Sequence, residues 1–295
     1  MPTERTLCVF GEVLFDRFED GRAVLGGAPF NLAWHLAAFG AQPAFVSRVG
    51  DDDLGREIRM RMREWGLDDT GLQVDPDRAT GVVDVRIVDG QPQYEIVGDR
   101  AWDAIHARGL AATAADAILY HGTLALRDVG NRAALAALAA NGPGRFVDVN
   151  LRAPWWTGES VHAALHAARW GKLNEDELAL LAPDHDGTAR RARHLIERHG
   201  LERLYLTQGE RGAVAFSAGG DSVGIAPAST GAVVDTVGAG DAFAAVLLLG
   251  LARDWPLERT LERAQGFASA VVGLRGATTS ERRFYQPFLE AWGDS

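Results

Sequence analysis

The chain has 295 residues, of which 47% are apolar and 24% charged, with a formal net charge of -10 and a pI of about 5.3. That length and apolar content suffice for one large α/β domain with a real core and exclude a disordered chain, and the acidic balance disfavours a nucleic-acid partner. A single cysteine, Cys8, rules out an intrachain disulfide and fits a reducing cytoplasm; the longest apolar stretch, Ala242 to Ala252, is too short to span a bilayer, so no membrane partner is expected.

Taken in chain order, Met1–Arg5 leads directly into the apolar run Leu7–Phe10, a buried strand, and leaves no room for a secretory leader. Phe15–Leu25 is predicted to be a hairpin around Asp20-Gly21. A helix over Phe30–Phe39 ends at Gly40, a strand covers Ala44–Val49, and a helix over Leu54–Trp65 ends at Gly66. On that helix Arg59, Arg61 and Arg63 are interleaved with Glu57, Glu64 and Asp68, the pattern of a solvated face. Gly81–Val97 is predicted to be a second hairpin around Asp89-Gly90; Val83, Val85 and Ile87 alternate with Asp84 and Arg86, and Pro92 suits an edge strand. These hairpins interrupt the βα rhythm, so a small separate sheet is expected from inserts at about 15–25 and 81–100. Beyond it, strands are expected at Ala117–Tyr120, Phe146–Val149, Leu204–Thr207 and Val214–Phe216. Helices are expected at Asn131–Ala140, Val161–Ala168, Ala189–His199 (closed by Gly200), Ala242–Leu251 and Leu257–Val272, with the Ala-rich stretches Ala111–Ala117 and Ala133–Ala140 as helix filler. Short continuous apolar strands alternating with helices imply an α/β fold over 1–295: a doubly wound, mostly parallel sheet with helices on both faces.

The most informative segment is Asp235-Thr236-Val237-Gly238-Ala239-Gly240-Asp241-Ala242-Phe243. Its glycines open a long apolar helix. The first N–H groups of a helix lack internal partners and, with the helix dipole, suit a phosphate or a developing anion. A carboxylate at that mouth, Asp241, is poised to accept a proton from an attacking hydroxyl; the plainer alternative is a helix-capping aspartate. The segment lacks the lysine of a Walker loop and the last glycine of a dinucleotide fingerprint.

This run resembles the signature of the ribokinase-like (PfkB-type) carbohydrate kinases. The resemblance extends along nearly the whole chain: Gly26-Gly27-Ala28-Pro29-Phe30-Asn31, Gly50-Asp51-Asp52 with Leu54-Gly55, Asp148-x-Asn150-x-Arg152, Asn174-x-x-Glu177, Thr207-x-Gly209-x-x-Gly212 and Arg275-Gly276-Ala277-Thr278. It implies ATP as co-substrate, magnesium, and a hydroxyl acceptor. By the same resemblance Asp241 is the base, and the N–H groups at Gly238, Ala239, Gly240 and Asp241 hold the transferring phosphoryl, with Arg152 neutralising its charge. Asp16, Gly27, Asn31, Arg100 and Asn150 fall on the sugar side, and Asn174, Thr207, Gly209, Gly238 and Gly240 on the nucleotide side. Glu177 would act on magnesium through water, and Asp235 and Val237 mark the place of a monovalent cation such as potassium. Read without the resemblance, Asp16 is a turn residue, Asn31 a helix start, Arg152 a surface arginine, and Asn174 with Glu177 a capping box. The small sheet resembles the family's lid, which covers the sugar and often forms a homodimer interface, with Arg86, Tyr94 and Arg100 as lid residues facing substrate.

Within the family, Gly-Gly-Ala-Pro-Phe-Asn, Gly11-Glu12 with Asp16, and Val149-Asn150-Leu151-Arg152 followed by Trp155-Trp156 are most similar to fructokinases, which implies fructose 6-phosphate as product. Ribose, 2-keto-3-deoxygluconate, other ketoses and nucleosides are acceptors of related members. From other classes, a non-catalytic sugar or nucleotide sensor would often have lost Asp241 or its glycines, and a dinucleotide oxidoreductase would need a glycine fingerprint that Gly11-Glu12-Val13-Leu14 does not supply.

Overall fold

A computed structural model of the protein describes residues 4–88, 91–227 and 234–293. Strand β1 (Leu7–Phe10) is followed by a hairpin of β2 (Leu14–Phe18) and β3 (Ala23–Gly26), helix α1 (Ala28–Ala38), β4 (Ala44–Gly50), α2 (Asp53–Trp65) and β5 (Leu72–Asp75). A second hairpin pairs β6 (Gly81–Val88) with β7 (Gln91–Ile96). After a 3-10 turn at Ala101–Ala104 come β8 (Ile118–His121), α3 (Val129–Leu138), β9 (Gly144–Asp148), α4 (Gly158–His166), β10 (Trp170–Asn174), α5 (Glu175–Leu181) and α6 (Thr188–His199). The chain ends with β11 (Arg203–Thr207), β12 (Ala213–Ser217), β13 (Ser222–Ile225), α7 (Ala239–Ala252), α8 (Leu257–Val271) and α9 (Arg282–Trp292).

The main sheet has the order β13-β12-β11-β10-β9-β8-β1-β4-β5. It is parallel from β5 through β11, with β12 and β13 antiparallel at one edge. Its strands are apolar on both sides because helices cover both faces. Leu7 and Val9 belong to the larger core, beneath α1, α7 and α8, whereas Cys8 and Phe10 point to the opposite face, beneath α3. Burial pushes the Cys8 thiol up to about 11, so it is an inert core residue. The chain leaves β1 in one direction toward β4 and β5 and returns through β8 in the other. The order therefore reverses at β1, and the crevice outside the carboxyl ends of β1 and β8 is where such sheets bind ligands.

The two hairpins form the separate small sheet expected from the sequence, in the order β3-β2-β6-β7 with β2 and β6 parallel. Strand β7, which carries Pro92, is an edge. The Asp89-Gly90 turn lies outside the described residues. Leu14, Val83 and Val85 give this sheet a small apolar cluster of its own.

Two parts of the sequence reading change. Ala111–Ala117 is not helical; it is an irregular, mostly exposed strap anchored by Thr113 N–H donating to Leu138 O at 2.8 Å. Alanine propensity cannot nucleate a seven-residue helix that has no apolar face to bury. Elements at β5, β10, β13, α5 and α9 were not expected from periodicity; β10 escaped because Lys172 interrupts its apolar run and is nonetheless buried.

Candidate active site

The carboxyl ends of four parallel strands and the start of one helix converge on the switch point. Strand β1 ends at Gly11-Glu12, β9 at Asp148 and the turn through Asn150 to Arg152, β10 at Asn174, and β11 at Thr207. Helix α7 enters from the other side. Gly238 caps it with φ 81, and a Cβ there would lie 2.3 Å from the Ala277 Cβ, so glycine is required both by the left-handed backbone and by the loop packed against it. The N–H groups of Gly240 and Asp241 donate to no backbone carbonyl among the described residues. They are the free donors that a phosphoryl group needs.

Asp241 sits in the first turn of α7, half-buried, and its Oδ2 accepts from Asn31 Nδ2 at 2.9 Å. Burial pushes its carboxyl up to about 6; the Asn31 bond and the charges of Lys172 and Arg152 work against that rise, and Asp148 adds to it. Asn31 is itself buried, and its Oδ1 has no hydrogen-bond partner. Asp16 lies on β2 with a carboxyl pushed up to about 6 by burial and lowered in part by Arg152. Asp16 and Asn31 face each other across the backbone of Gly26: a Cβ there would lie 3.6 Å from Asp16 Oδ2 and 3.9 Å from Asn31 Oδ1. At Gly27 (φ 108) a Cβ would come within 2.7 Å of the Glu12 carbonyl, so the Gly-Gly pair lets β3 pass close over the end of β1.

Arg152 is exposed, and its positive charge acts on Glu12, Asp16, Tyr94 and Asp241, which places it over the same crevice. It follows Asn150, whose φ of 37 turns the chain after β9. Tyr94 on β7 is 55% exposed and faces Asp16, Asp235 and Arg152. The structure thus brings Asp16, Gly27, Asn31, Asn150, Arg152, Gly238, Ala239, Gly240 and Asp241 to one crevice. Arg100 precedes the 3-10 turn, and its charge acts on Asp84 of the small sheet. Arg86 is exposed and pairs with Glu95 at 3.7 Å.

On the nucleotide side, Asn174 and Glu177 form a reciprocal capping box at the start of α5. Glu177 Oε2 accepts from Asn174 N–H and Oε1 from Leu151 N–H, both at 2.8 Å, which ties the loop after β9 to β10. Each Glu177 oxygen keeps a lone pair, which suits an approach to a cation directly or through water. Thr207 ends β11, and Gly209 (φ 56) turns the chain after it. Asp235 Oδ1 accepts from Val237 N–H at 3.0 Å and Oδ2 from Gly276 N–H at 3.1 Å, joining the two loops at the α7 entrance. Each oxygen keeps a lone pair, so Asp235 and neighbouring carbonyls fit a hard monovalent cation. No group of three His, Cys, Asp or Glu side chains among the described residues is arranged to hold a metal by itself. Magnesium commonly shares its coordination with substrate phosphates and water, and needs no such cage.

Several residues of the site received no role from the sequence, although Asp148 and Glu12 fall inside its motifs. Asp148 and Lys172, both buried, form an ion pair with Nζ 2.9 and 3.0 Å from the two carboxylate oxygens, and Tyr120 Oη donates to Asp148 Oδ2 at 3.4 Å. Burial opposes the Lys172 charge, but Asp148 outweighs it and holds the ammonium above the usual lysine range. Glu12 is 5% exposed, and burial pushes its carboxyl up to about 7. Arg127 acts on Glu12 from between the Trp102 and Trp155 rings, with its guanidinium forked onto Asp103 at 2.7 and 2.8 Å. Behind Gly238, buried His35 is held neutral by burial, with its pKa lowered to about 3. It donates from Nε2 to Ala277 O at 3.1 Å and accepts at Nδ1 from Tyr285 Oη at 3.0 Å. The sequence signals available for these groups were a charge inside a strand-like run at Lys172 and an acid directly after β1 at Glu12.

A crevice at the switch point, a helix start with free N–H groups and a carboxylate beside them suit phosphoryl transfer to a hydroxyl. Residues 5–283 match the pfkB family carbohydrate kinase family, and the chain belongs to it. It is 33% identical to a fructokinase of Klebsiella pneumoniae over 259 residues, covering 83% of each chain. The structure of aminoimidazole riboside kinase from Salmonella enterica, complexed with aminoimidazole riboside and an ATP analog, superposes with a TM-score of 0.83 at 25% identity, over 97% of this chain and 100% of that one. Fructokinase from Vibrio cholerae O395, bound to fructose, ADP and potassium ion, gives the same TM-score at 22% identity, over 96% and 98%, a likeness of fold.

Proposed function

We propose that this carbohydrate kinase transfers the γ-phosphoryl of ATP to a hydroxyl of D-fructose, giving fructose 6-phosphate. The observation that carries the phosphotransfer reading is the Asp241 carboxyl, bonded to Asn31 at the mouth of α7 and lifted by burial to about 6, where a carboxylate is a useful base near neutral pH. Asp16, Asn31 and the Gly27 backbone bind the sugar hydroxyls and align one of them with Asp241. Asp241 takes that proton as the oxygen attacks. The N–H groups at the start of α7 and the Arg152 guanidinium receive the charge of the phosphoryl in flight. Thr207, Gly209 and Asn174 border the nucleotide. Glu177 would approach a magnesium ion through water, and that ion would offset the charge of the ATP phosphates; Asp235 with the Val237 carbonyl would hold potassium.

The small sheet acts as a lid over the sugar and is the face through which a homodimer would form. Fructose is favoured by the Klebsiella pneumoniae relative. A riboside acceptor is the second reading, favoured by the likeness to aminoimidazole riboside kinase. A coupled ADP-release assay with ATP and magnesium, across fructose, ribose, 2-keto-3-deoxygluconate, tagatose, glucose, adenosine and aminoimidazole riboside, tests both. Selective release with fructose is expected; selective release with a riboside replaces the sugar and keeps the kinase; silence from folded, ATP-binding protein overturns the catalytic reading.

A further inference from the structure

We infer that Lys172 is a positioning residue of this site: its ammonium, held by the buried pair with Asp148 beneath the α7 first turn, favours the ionised form of Asp241 and sets a positive charge beneath the phosphoryl position. The inference rests on the reading of Asp241 as base. Three observations place the charge. Nζ is fixed by both oxygens of Asp148, at 2.9 and 3.0 Å. A Cβ built on Gly240 would lie 3.5 Å from Nζ, so the ammonium lies close beneath the turn whose N–H groups face the crevice. Lys172 is also buried at the middle of β10, where a charge is expensive and an apolar side chain would complete the strand's pattern.

A lysine needed only for packing could be apolar there. One needed for its charge must be held as an ammonium, and Asp148 supplies the counter-charge that makes this possible. Asp148 also acts on Asp241, with the opposite sign to Lys172. The two members of the pair therefore bear on the base in opposite directions, Asp148 the more strongly, and Asp148→Asn alone would also strip the ammonium of the counter-charge that holds it protonated.

The test is the pH dependence of kcat and kcat/KM for Lys172→Met, Asp148→Asn and the neutral double variant, with Tm for each, using the full chain with ATP, magnesium and the acceptor found in the substrate panel. Removing the ammonium removes a charge that favours ionised Asp241, so the acid limb in Lys172→Met is expected to move up by about one pH unit. Its kcat at the plateau is expected to fall by roughly 10- to 10²-fold, with KM little changed. In Asp148→Asn the buried lysine loses the counter-charge that holds it protonated, so kcat is expected to fall as in Lys172→Met. The double variant removes both buried charges at nearly matched size, a change that often leaves a fold intact; it is expected to keep its Tm within a few degrees and still lose kcat.

A double variant that folds with wild-type kcat and an unmoved limb overturns the inference, as does a Lys172→Met protein that loses only Tm. Asp241→Asn separates this from the underlying reading. If its turnover survives, the base assignment falls, and Lys172 is then judged on kcat alone, where loss in Lys172→Met sustains its effect on the phosphoryl and retention overturns it.

Discussion

At the scale of single residues, the site is a set of carboxyls that burial holds at unusually high pKa values. Asp241 must be ionised to accept a proton, and its carboxyl titrates at about 6, so kcat/KM is expected to fall below about pH 6 with a slope of one proton. Asp241→Asn removes the acceptor while keeping size and the Asn31 contact. It is expected to lose turnover by at least ~10²-fold with sugar and ATP binding retained. Steady-state kinetics and calorimetric binding on one preparation decide this; near-normal kcat removes Asp241 as base.

Glu12 makes a separate prediction about stability. Its carboxyl rises from 4.5 to about 7 on folding, so between those values the folded chain holds a proton that the unfolded chain has released. Stability from this group is therefore greatest at low pH and is lost as pH rises through about 7, a cost of about 3 kcal/mol at most above that. Glu12→Gln is expected to flatten the decline in Tm between pH 5 and pH 8, measured by thermal melts in matched buffers. A decline as steep as in the wild type would mean that Glu12 ionises in the fold without cost.

At the scale of elements, the sequence was most legible where local chemistry is strongest. Gly66 (φ 85) and Gly200 (φ 67) close α2 and α6 as their positions implied, and the Asn174–Glu177 capping box opens α5 as the alternative to its catalytic reading. What periodicity hid was decided by tertiary partners. Strand β10 hides behind Lys172, which is tolerated only because Asp148 comes from the neighbouring strand. Helix α9 hides behind Pro287, and the 111–117 strap has the alanine content of a helix but no apolar face to pack.

Packing also sets the expected cost of a change between α7 and α8. Gly250 lies mid-helix, where alanine ordinarily gains about 1 kcal/mol. Here a Cβ would lie 2.3 Å from Thr260 Cγ2 and 2.4 Å from Oγ1, inside the tightest helix pair of the core. Overpacking outweighs propensity, so Gly250→Ala is expected to destabilise by about 1–3 kcal/mol. Chemical denaturation measures it, and a second change, Thr260→Ser, is expected to recover part of the loss by deleting the Cγ2 contact. A stabilised Gly250→Ala protein would show that α8 moves aside freely.

At the scale of the whole molecule, the sequence motifs located the crevice residues and contained Glu12 and Asp148, but not the network these form with Tyr120 and Lys172, which exists only once four strands are side by side. The same scale governs how the site is closed. The small sheet's own buried cluster, Leu14, Val83 and Val85 with Phe18 and Ile96 packed on it, is far smaller than the core of the main sheet, so its opening is expected to cost less. Its inner side carries Asp16, and Tyr94 stands 55% exposed facing Asp16, Asp235 and Arg152. An exposed aromatic ring aimed at a polar crevice has apolar surface to cover and gains by closing over a sugar, which supplies a hydrophobic face between its hydroxyls. Closure would exclude water from the phosphoryl and so limit ATP hydrolysis. Fructose at saturation is therefore expected to slow amide exchange in β6 and β7, with little change in β4 or β11, and Tyr94→Ala is expected to raise KM for the sugar while raising the ratio of ATP hydrolysed to sugar phosphorylated. Hydrogen exchange by mass spectrometry and a paired ADP and sugar-phosphate assay read these two outcomes. Exchange in β6 and β7 that ignores sugar, together with an unchanged hydrolysis ratio in Tyr94→Ala, would leave the small sheet as a fixed wall of the site and not a lid.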